Sequence, residues 1–294
     1  MVGYGAGRTG PDWVMRFASK GFDQEYSLLC LTEEPPVGGK GEKREMKLEN
    51  KVAIVTGGGN GIGRAIALGF GREGADVVVA ARRLPLLEQV AKEIEALGSK
   101  SLAIKTDVSR KRDVRNLVEC TISEFGKIDI LVNNAAIFPP TPFLEINEVE
   151  WDMVNAVILK GTFFCCQAVL RHMVDQKSGR IINLNSGAAR SGELTVIDHY
   201  VAAKGGVLSL THVLSEEFSR HGITVNGIAC GLTYTEGVQS IMPKEFFDQF
   251  AQKRPLRRNG RPEDYVGMAV LLASDEGSFI TGQTISVDGG LTMP

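Results

Sequence analysis

From Lys51 onward, short apolar runs alternate with longer stretches whose apolar residues recur every three or four positions. The short runs predict strands at Lys51–Thr56, Asp76–Ala81, Ser101–Thr106, Asp129–Val132, Arg180–Leu184, Thr224–Ile228 and Gln283–Val287. The longer stretches predict helices near Arg64–Glu73, Leu84–Leu97, Lys111–Phe125, Glu148–Asp175, Asp198–Arg220 and Pro262–Ser274. Strands that are apolar on both faces, alternating with helices, imply a parallel sheet covered on both sides. Right-handed crossovers then give a doubly wound α/β fold of seven strands, expected as one domain over residues 46–294 without repeats. Residues 1–45 break the pattern with glycines, mixed charge and Pro35-Pro36, and predict a flexible N-terminal extension. Its longest apolar patch, Leu28 to Leu31, is too short for a secretory signal, and Asp12, Asp23 and Glu25 speak against a mitochondrial presequence. Met46 opens the regular pattern and is a candidate start of translation.

Composition narrows the field. A hydrophobic share of 43% in 294 residues supports a sizeable core, and a net charge of -2 argues against a nucleic-acid partner. No apolar run approaches the ~20 residues of a membrane span. Cys30, Cys120, Cys165, Cys166 and Cys230 are odd in number and form no C-x-x-C, so core thiols in a reducing compartment are expected. The cytoplasm fits, with an organelle matrix as the alternative. The histidines show no ligand spacing, and no metal site is expected.

Gly57-Gly58-Gly59-Asn60-Gly61-Ile62-Gly63 lies between a predicted strand and a predicted helix. Glycines there let the backbone approach a pyrophosphate, and the helix start offers free N–H groups and a positive dipole end. This context favours dinucleotide binding by Gly57, Asn60, Gly61, Ile62 and Gly63. The second strand is followed by Arg82-Arg83, with no acidic residue to hold a ribose 2′-hydroxyl. Arginine suits a 2′-phosphate, so NADP is the expected cofactor and NAD the alternative. Asp107, followed by Val108, is placed to accept from an adenine amino group or to cap the next helix. Asn133 and Ala135 end the fourth strand at the edge where ligand is expected, and the asparagine amides there suit bracing of neighbouring strands equally well.

Tyr200 and Lys204 are four apart in a predicted helix, which puts both on one face. A phenol holds its proton to pH ~10, and a nearby ammonium draws that value down. Ser186, at the end of the fifth strand, can hydrogen-bond the oxygen that Tyr200 would protonate. The spacing alone fits a surface pair as well. His199 points about 100° away from Tyr200 on the helix and is read as surface or support.

Taken together, Thr56-Gly57-x-x-x-Gly61-x-Gly63, Asn133-Asn134-Ala135, Ser186 and Tyr200-x-x-x-Lys204 resemble the short-chain dehydrogenase/reductase family. The resemblance covers about Met46 to Asp288, including Gly282-Gln283 and Asp288-Gly289-Gly290. It implies a Rossmann-type domain that moves hydride between NAD(P) and an alcohol or carbonyl carbon, commonly as a homotetramer. It assigns Tyr200 as acid/base, Ser186 as the group steadying substrate oxygen, and Lys204 as the ribose ligand that lowers the tyrosine pKa. Leu232, Thr233 and Thr235 fall where the family meets nicotinamide or phosphates. The substrate class implied is a small-molecule ketone or alcohol, 3-oxoacyl thioesters among them.

The sequence departs from the family at three places. Ile158 stands where the family has the asparagine of Asn-Leu-Lys-Gly, Ala136 replaces a glycine, and Cys230-Gly231 replaces Pro-Gly. In the family that asparagine holds a helix irregularity and offers a backbone carbonyl to a water beside the lysine. Its loss motivates a rival reading, a cofactor-binding protein with faded catalysis; Asn155, three residues earlier, is a candidate replacement or an ordinary polar helix residue. Between Leu232 and Pro255, Met242, Phe246, Phe247 and Phe250 form an apolar helical stripe that faces either substrate or core.

Overall fold

In the computed structural model, which describes residues 45–191 and 196–292, all seven strands form one sheet. They are β1 (Val52–Thr56), β2 (Asp76–Ala81), β3 (Ser101–Lys105), β4 (Ile130–Asn133), β5 (Gly179–Ser186), β6 (Ile223–Cys230) and β7 (Thr284–Val287). The order is β3-β2-β1-β4-β5-β6-β7, and every pairing is parallel. The order reverses between β1 and β4, so a crevice opens beyond their carboxyl ends, where such sheets hold ligands. The extension expected over residues 1–45 falls, apart from Glu45, outside the described residues.

Alternate side chains of each central strand enter opposite cores. Ala53, Val55, Val77 and Val79 join one cluster with Ile66 and Phe70 of α1 (Gly61–Arg72) and Leu87, Val90 and Ile94 of α2 (Leu84–Glu95). Ile54, Val78, Ala80 and Leu131 join the other with Val114 and Leu117 of α3 (Lys111–Phe125) and Cys165, Cys166 and Val169 of the long helix. Each such fully buried Val, Leu, Ile or Phe contributes roughly 1.5–3 kcal/mol, which is why the strands read as unbroken apolar runs.

The long helix is interrupted. α4 (Glu148–Asn155) runs into a widened π turn over Ala156–Lys160 and continues as α5 (Gly161–Gln176). By length and composition Glu148–Gln176 would suffice to cross a membrane, a correction to the expectation from uninterrupted runs. Its apolar residues divide between the core, as with Cys165, Val169 and Met173, and the outer face, as with Met153 and Phe163. α6 (Ala188–Ser191) follows Ser186, and α7 (Asp198–Phe218) carries Tyr200 and Lys204. α8 (Glu236–Gln239) and α9 (Lys244–Lys253) come after β6, and α10 (Val266–Ala273) precedes β7.

Candidate active site

The glycine turn is stitched to the end of β4. Asn134 Nδ2 donates to the Thr56 and Gly57 carbonyls at 3.0 and 3.2 Å, and Thr56 Oγ1 accepts from the Asn134 and Ala135 N–H groups at 3.0 and 3.2 Å. Gly57 has φ +66° and Gly61 φ +54°, conformations that favour glycine. A Cβ on Gly57 would sit 2.6 Å from Asn134 Nδ2, and one on Gly63 would sit 2.4 Å from the Gly57 carbonyl oxygen. Asn60 precedes α1 without capping it, and the first turn has no acidic residue. The helix start therefore presents open N–H groups and a positive dipole end, and it lines a cavity through Asn60, Gly61 and Ile62. These are the features a dinucleotide's pyrophosphate requires, and the residues fit the group.

At the other end of this cavity, of about 350 Å³, lie Ser186, Tyr200 and Lys204. Ser186 is delivered by the last position of β5, where its N–H is fixed on Asn185 Oδ1 at 2.8 Å. Its hydroxyl accepts from the Ala188 N–H at 3.2 Å and acts to lower the pKa of the nearby Tyr200 phenol. The Tyr200 ring meets Phe138 edge to face, with centroids 5.7 Å apart. Lys204 is buried; its Nζ donates to the Leu184 carbonyl and lies 5.7 Å from the Tyr200 ring centroid.

The electrostatics differ from the expectation. Burial pushes the Tyr200 hydroxyl up to about 12, opposed by the Ser186 hydrogen bond, and Lys204 does not lower it. The ammonium faces a carbonyl rather than the phenol oxygen. Burial in turn draws Lys204 down to about 8, partly offset by Cys230, whose thiol burial pushes up to about 12. His199 is fully buried with Nε2 3.1 Å from Glu150 Oε1, a support joining α7 to α4 rather than a second base.

Of the sequence-predicted residues, the cavity brings together Gly57, Asn60, Gly61, Ile62, Arg83, Ala135, Ser186, Tyr200, Lys204, Leu232, Thr233 and Thr235. Five others stand away from its lining. Gly63 acts by its missing side chain, as above. Arg82 is exposed and acts on Asp107 electrostatically. Asp107 Oδ1 accepts from the Ser109 N–H and hydroxyl at 3.0 and 2.6 Å, so it closes a local turn. Val108 is buried against Gly161, where an added Cβ would lie 2.8 Å from its Cγ2. Asn133 is buried, its Nδ2 donating to Asn183 Oδ1 at 2.9 Å, which braces β4 to β5; Asn134 is the residue that reaches the turn.

Ile158 is buried with Val154, Ala203 and Val207, next to Tyr200. Its carbonyl accepts from the Thr162 hydroxyl at 2.7 Å. Asn155 does not replace the missing amide: its Nδ2 donates back to the Trp151 carbonyl at 2.9 Å. The aromatic stripe divides, with Met242 and Phe250 on the cavity and Phe247 fully buried against the Tyr234 ring at 4.9 Å. Sequence reasoning missed Phe138, Ile197, Val238, Asp288, Leu291 and Thr292 as cavity residues. The Asp288 signal was there: a carboxylate before two glycines suits the turn it makes, accepting from the Gly290, Leu291 and Thr292 N–H groups.

A doubly wound sheet with a glycine turn and a Ser-Tyr-Lys group at its switch point defines a nicotinamide-dependent oxidoreductase. A family model described as enoyl-(acyl carrier protein) reductase matches residues 57–292. The chain is 40% identical over 245 residues to a 3-oxoacyl-(acyl-carrier-protein) reductase of Staphylococcus epidermidis, covering 83% of this chain and 100% of that protein. It is 38% identical over 259 residues to the short-chain dehydrogenase/reductase astE of Aspergillus oryzae, covering 86% and 99%. A crystal structure of a short-chain type dehydrogenase/reductase from Mycobacterium marinum superposes with a TM-score of 0.81 at 36% identity, covering 85% of this chain and 98% of that one. The chain belongs to the short-chain dehydrogenase/reductase family and is an NAD(P)-dependent oxidoreductase.

Proposed function

We propose an NADPH-dependent reductase of 3-oxoacyl thioesters, with Tyr200 as proton donor, Ser186 steadying the substrate oxygen and Lys204 on the cofactor ribose. The observation that carries this is the meeting of Ser186, Tyr200 and Lys204 in one cavity with the uncapped start of α1. A bound nicotinamide supplies hydride to the carbonyl carbon. Tyr200, raised to about 12, holds its proton at neutral pH and is poised to give it to the forming alkoxide. Phe138, Ile197, Val238, Met242, Phe250 and Leu291 give the cavity an apolar wall suited to an acyl chain. Arg83 supports NADP over NAD, because its cation lines the cavity. The relatives named as 3-oxoacyl reductases support the thioester. We also read the protein as a cytoplasmic homo-oligomer, dimer or tetramer, since Trp151, Met153 and Phe163 remain exposed on one long helix.

The test is NADPH consumption with acetoacetyl thioester beside simple ketones. Turnover with the thioester is expected, and Tyr200→Phe should lose it by at least about a hundredfold while keeping NADPH affinity. Unchanged turnover in that variant refutes the role of Tyr200. The rival reading of faded catalysis rests on Ile158, which removes a side-chain amide beside Tyr200. Tight NADPH binding without turnover on any ketone favours it.

A further inference from the structure

Arg254, the residue that follows α9 as its C-cap, is only 3% exposed. Among the described residues it has no carboxylate within ion-pair distance. Asp288 and Asp264 act on it only at longer range. A buried cation held by neutral groups is costly, and a methionine of similar length would fill the space at lower cost. What offsets that cost is what the guanidinium grips. Nη2 donates to the Leu232 carbonyl and Nη1 to the Arg258 carbonyl at 3.0 Å, while Nε is buried without a partner.

Leu232 belongs to the stretch Cys230–Thr233, which lines the cavity beside Tyr200 and Lys204. This stretch is fastened from behind. Thr233 Oγ1 bonds the Gly231 carbonyl at 2.8 Å and the Tyr265 hydroxyl at 2.5 Å, and the Tyr234 N–H donates to the Gly260 carbonyl at 2.8 Å. A Cβ on Gly231 would lie 3.3 Å from Arg254 Nη2, so the guanidinium sits directly against the loop. Because a trans peptide sets its C=O and N–H on opposite sides, drawing the Leu232 carbonyl toward Arg254 turns the Thr233 N–H the other way.

We propose that Arg254 is the positioning residue of this loop: by holding the Leu232 carbonyl it orients the Leu232–Thr233 peptide for the nicotinamide end of the cofactor. The proposal rests on the dinucleotide reading above. Arg254 does not line the cavity and acts through Leu232.

The experiment compares wild type, Arg254→Met and Arg254→Lys by amide hydrogen exchange without ligand, and by affinity for NADPH and for adenosine 2′,5′-bisphosphate, which lacks the nicotinamide. Arg254→Met should raise exchange at Leu232–Thr235 selectively and weaken NADPH about tenfold, the loss that accompanies one buried hydrogen bond to a charged group. Arg254→Lys, which keeps the charge but not the fork, should fall between and carries the test if the methionine variant does not fold. Affinity for the bisphosphate should stay within about twofold in both, since the glycine turn and Arg83 are untouched. Unchanged exchange at the loop, or equal losses for NADPH and bisphosphate, overturns the proposal. A wild type that binds neither nucleotide sinks the dinucleotide reading instead, and the exchange result still decides whether Arg254 orders the loop.

Discussion

Replacing Lys204 by methionine removes a buried ammonium while keeping most of its length. In the unfolded chain the lysine holds its proton to its ordinary 10.5, and in the folded protein burial draws this to about 8. Between these values the unfolded state binds more protons, so the folded state gains stability as pH rises. The gap corresponds to a penalty of about 3 kcal/mol, present below pH 8 and relieved toward pH 10.5. Tyr200 works the other way, its folded value of about 12 standing above the ordinary 10.0, so it favours the folded state until pH passes 10. Urea unfolding of wild type and Lys204→Met from about pH 7 to about pH 10 isolates the lysine together with its coupling to Cys230, because groups that do not feel Lys204 cancel in the difference. Wild type should gain on the variant by about 2 kcal/mol over that range. The lost bond to the Leu184 carbonyl adds only an offset independent of pH. A flat difference would mean that Lys204 is solvated as an ordinary lysine and would refute the reasoning from its burial.

Three further outcomes are expected. Gly57→Ala places a Cβ 2.6 Å from Asn134 Nδ2 at a positive φ, so it should lower stability by roughly 1–3 kcal/mol in urea unfolding and weaken NADPH binding. Arg83→Ala should weaken NADPH about tenfold by titration and leave NADH affinity within about twofold, equal losses arguing against the 2′-phosphate role. Ile158→Asn keeps the carbonyl that accepts from Thr162, so steady-state turnover should change by less than about threefold; a tenfold gain would show that the missing amide limits catalysis.

The strands were legible because their two-sided burial leaves no polar alternation to confuse, and β2 matches its predicted limits, Asp76–Ala81. The π turn was not legible in the apolar pattern, since Ala156–Lys160 has the same spacing as the helix around it; only the family resemblance pointed to an irregularity at Ile158. The Ser-Tyr-Lys group was readable only through the family resemblance, since the spacing of Tyr200 and Lys204 alone fits a surface pair as well. Its electrostatics were not, because the direction of a pKa depends on burial and on where an ammonium points, here at Leu184. Asn133 and Asn134 show the same limit: one ends β4 and the other follows it, and only the structure says which one reaches the turn. The aromatic stripe divided for a similar reason, a single helix serving both the core through Phe247 and the cavity through Phe250.

The widened turn at Ala156–Lys160 acts as a phase shifter within one rod. Val154 just before the turn and Ile158 within it mesh with Ala203 and Val207 of α7. Downstream, Gly161 admits Val108, and Cys165 and Val169 settle on the sheet. An even spiral would lock the angular setting of both halves together; the local slack lets the half next to Tyr200 and the half on the sheet each find its own best rotation.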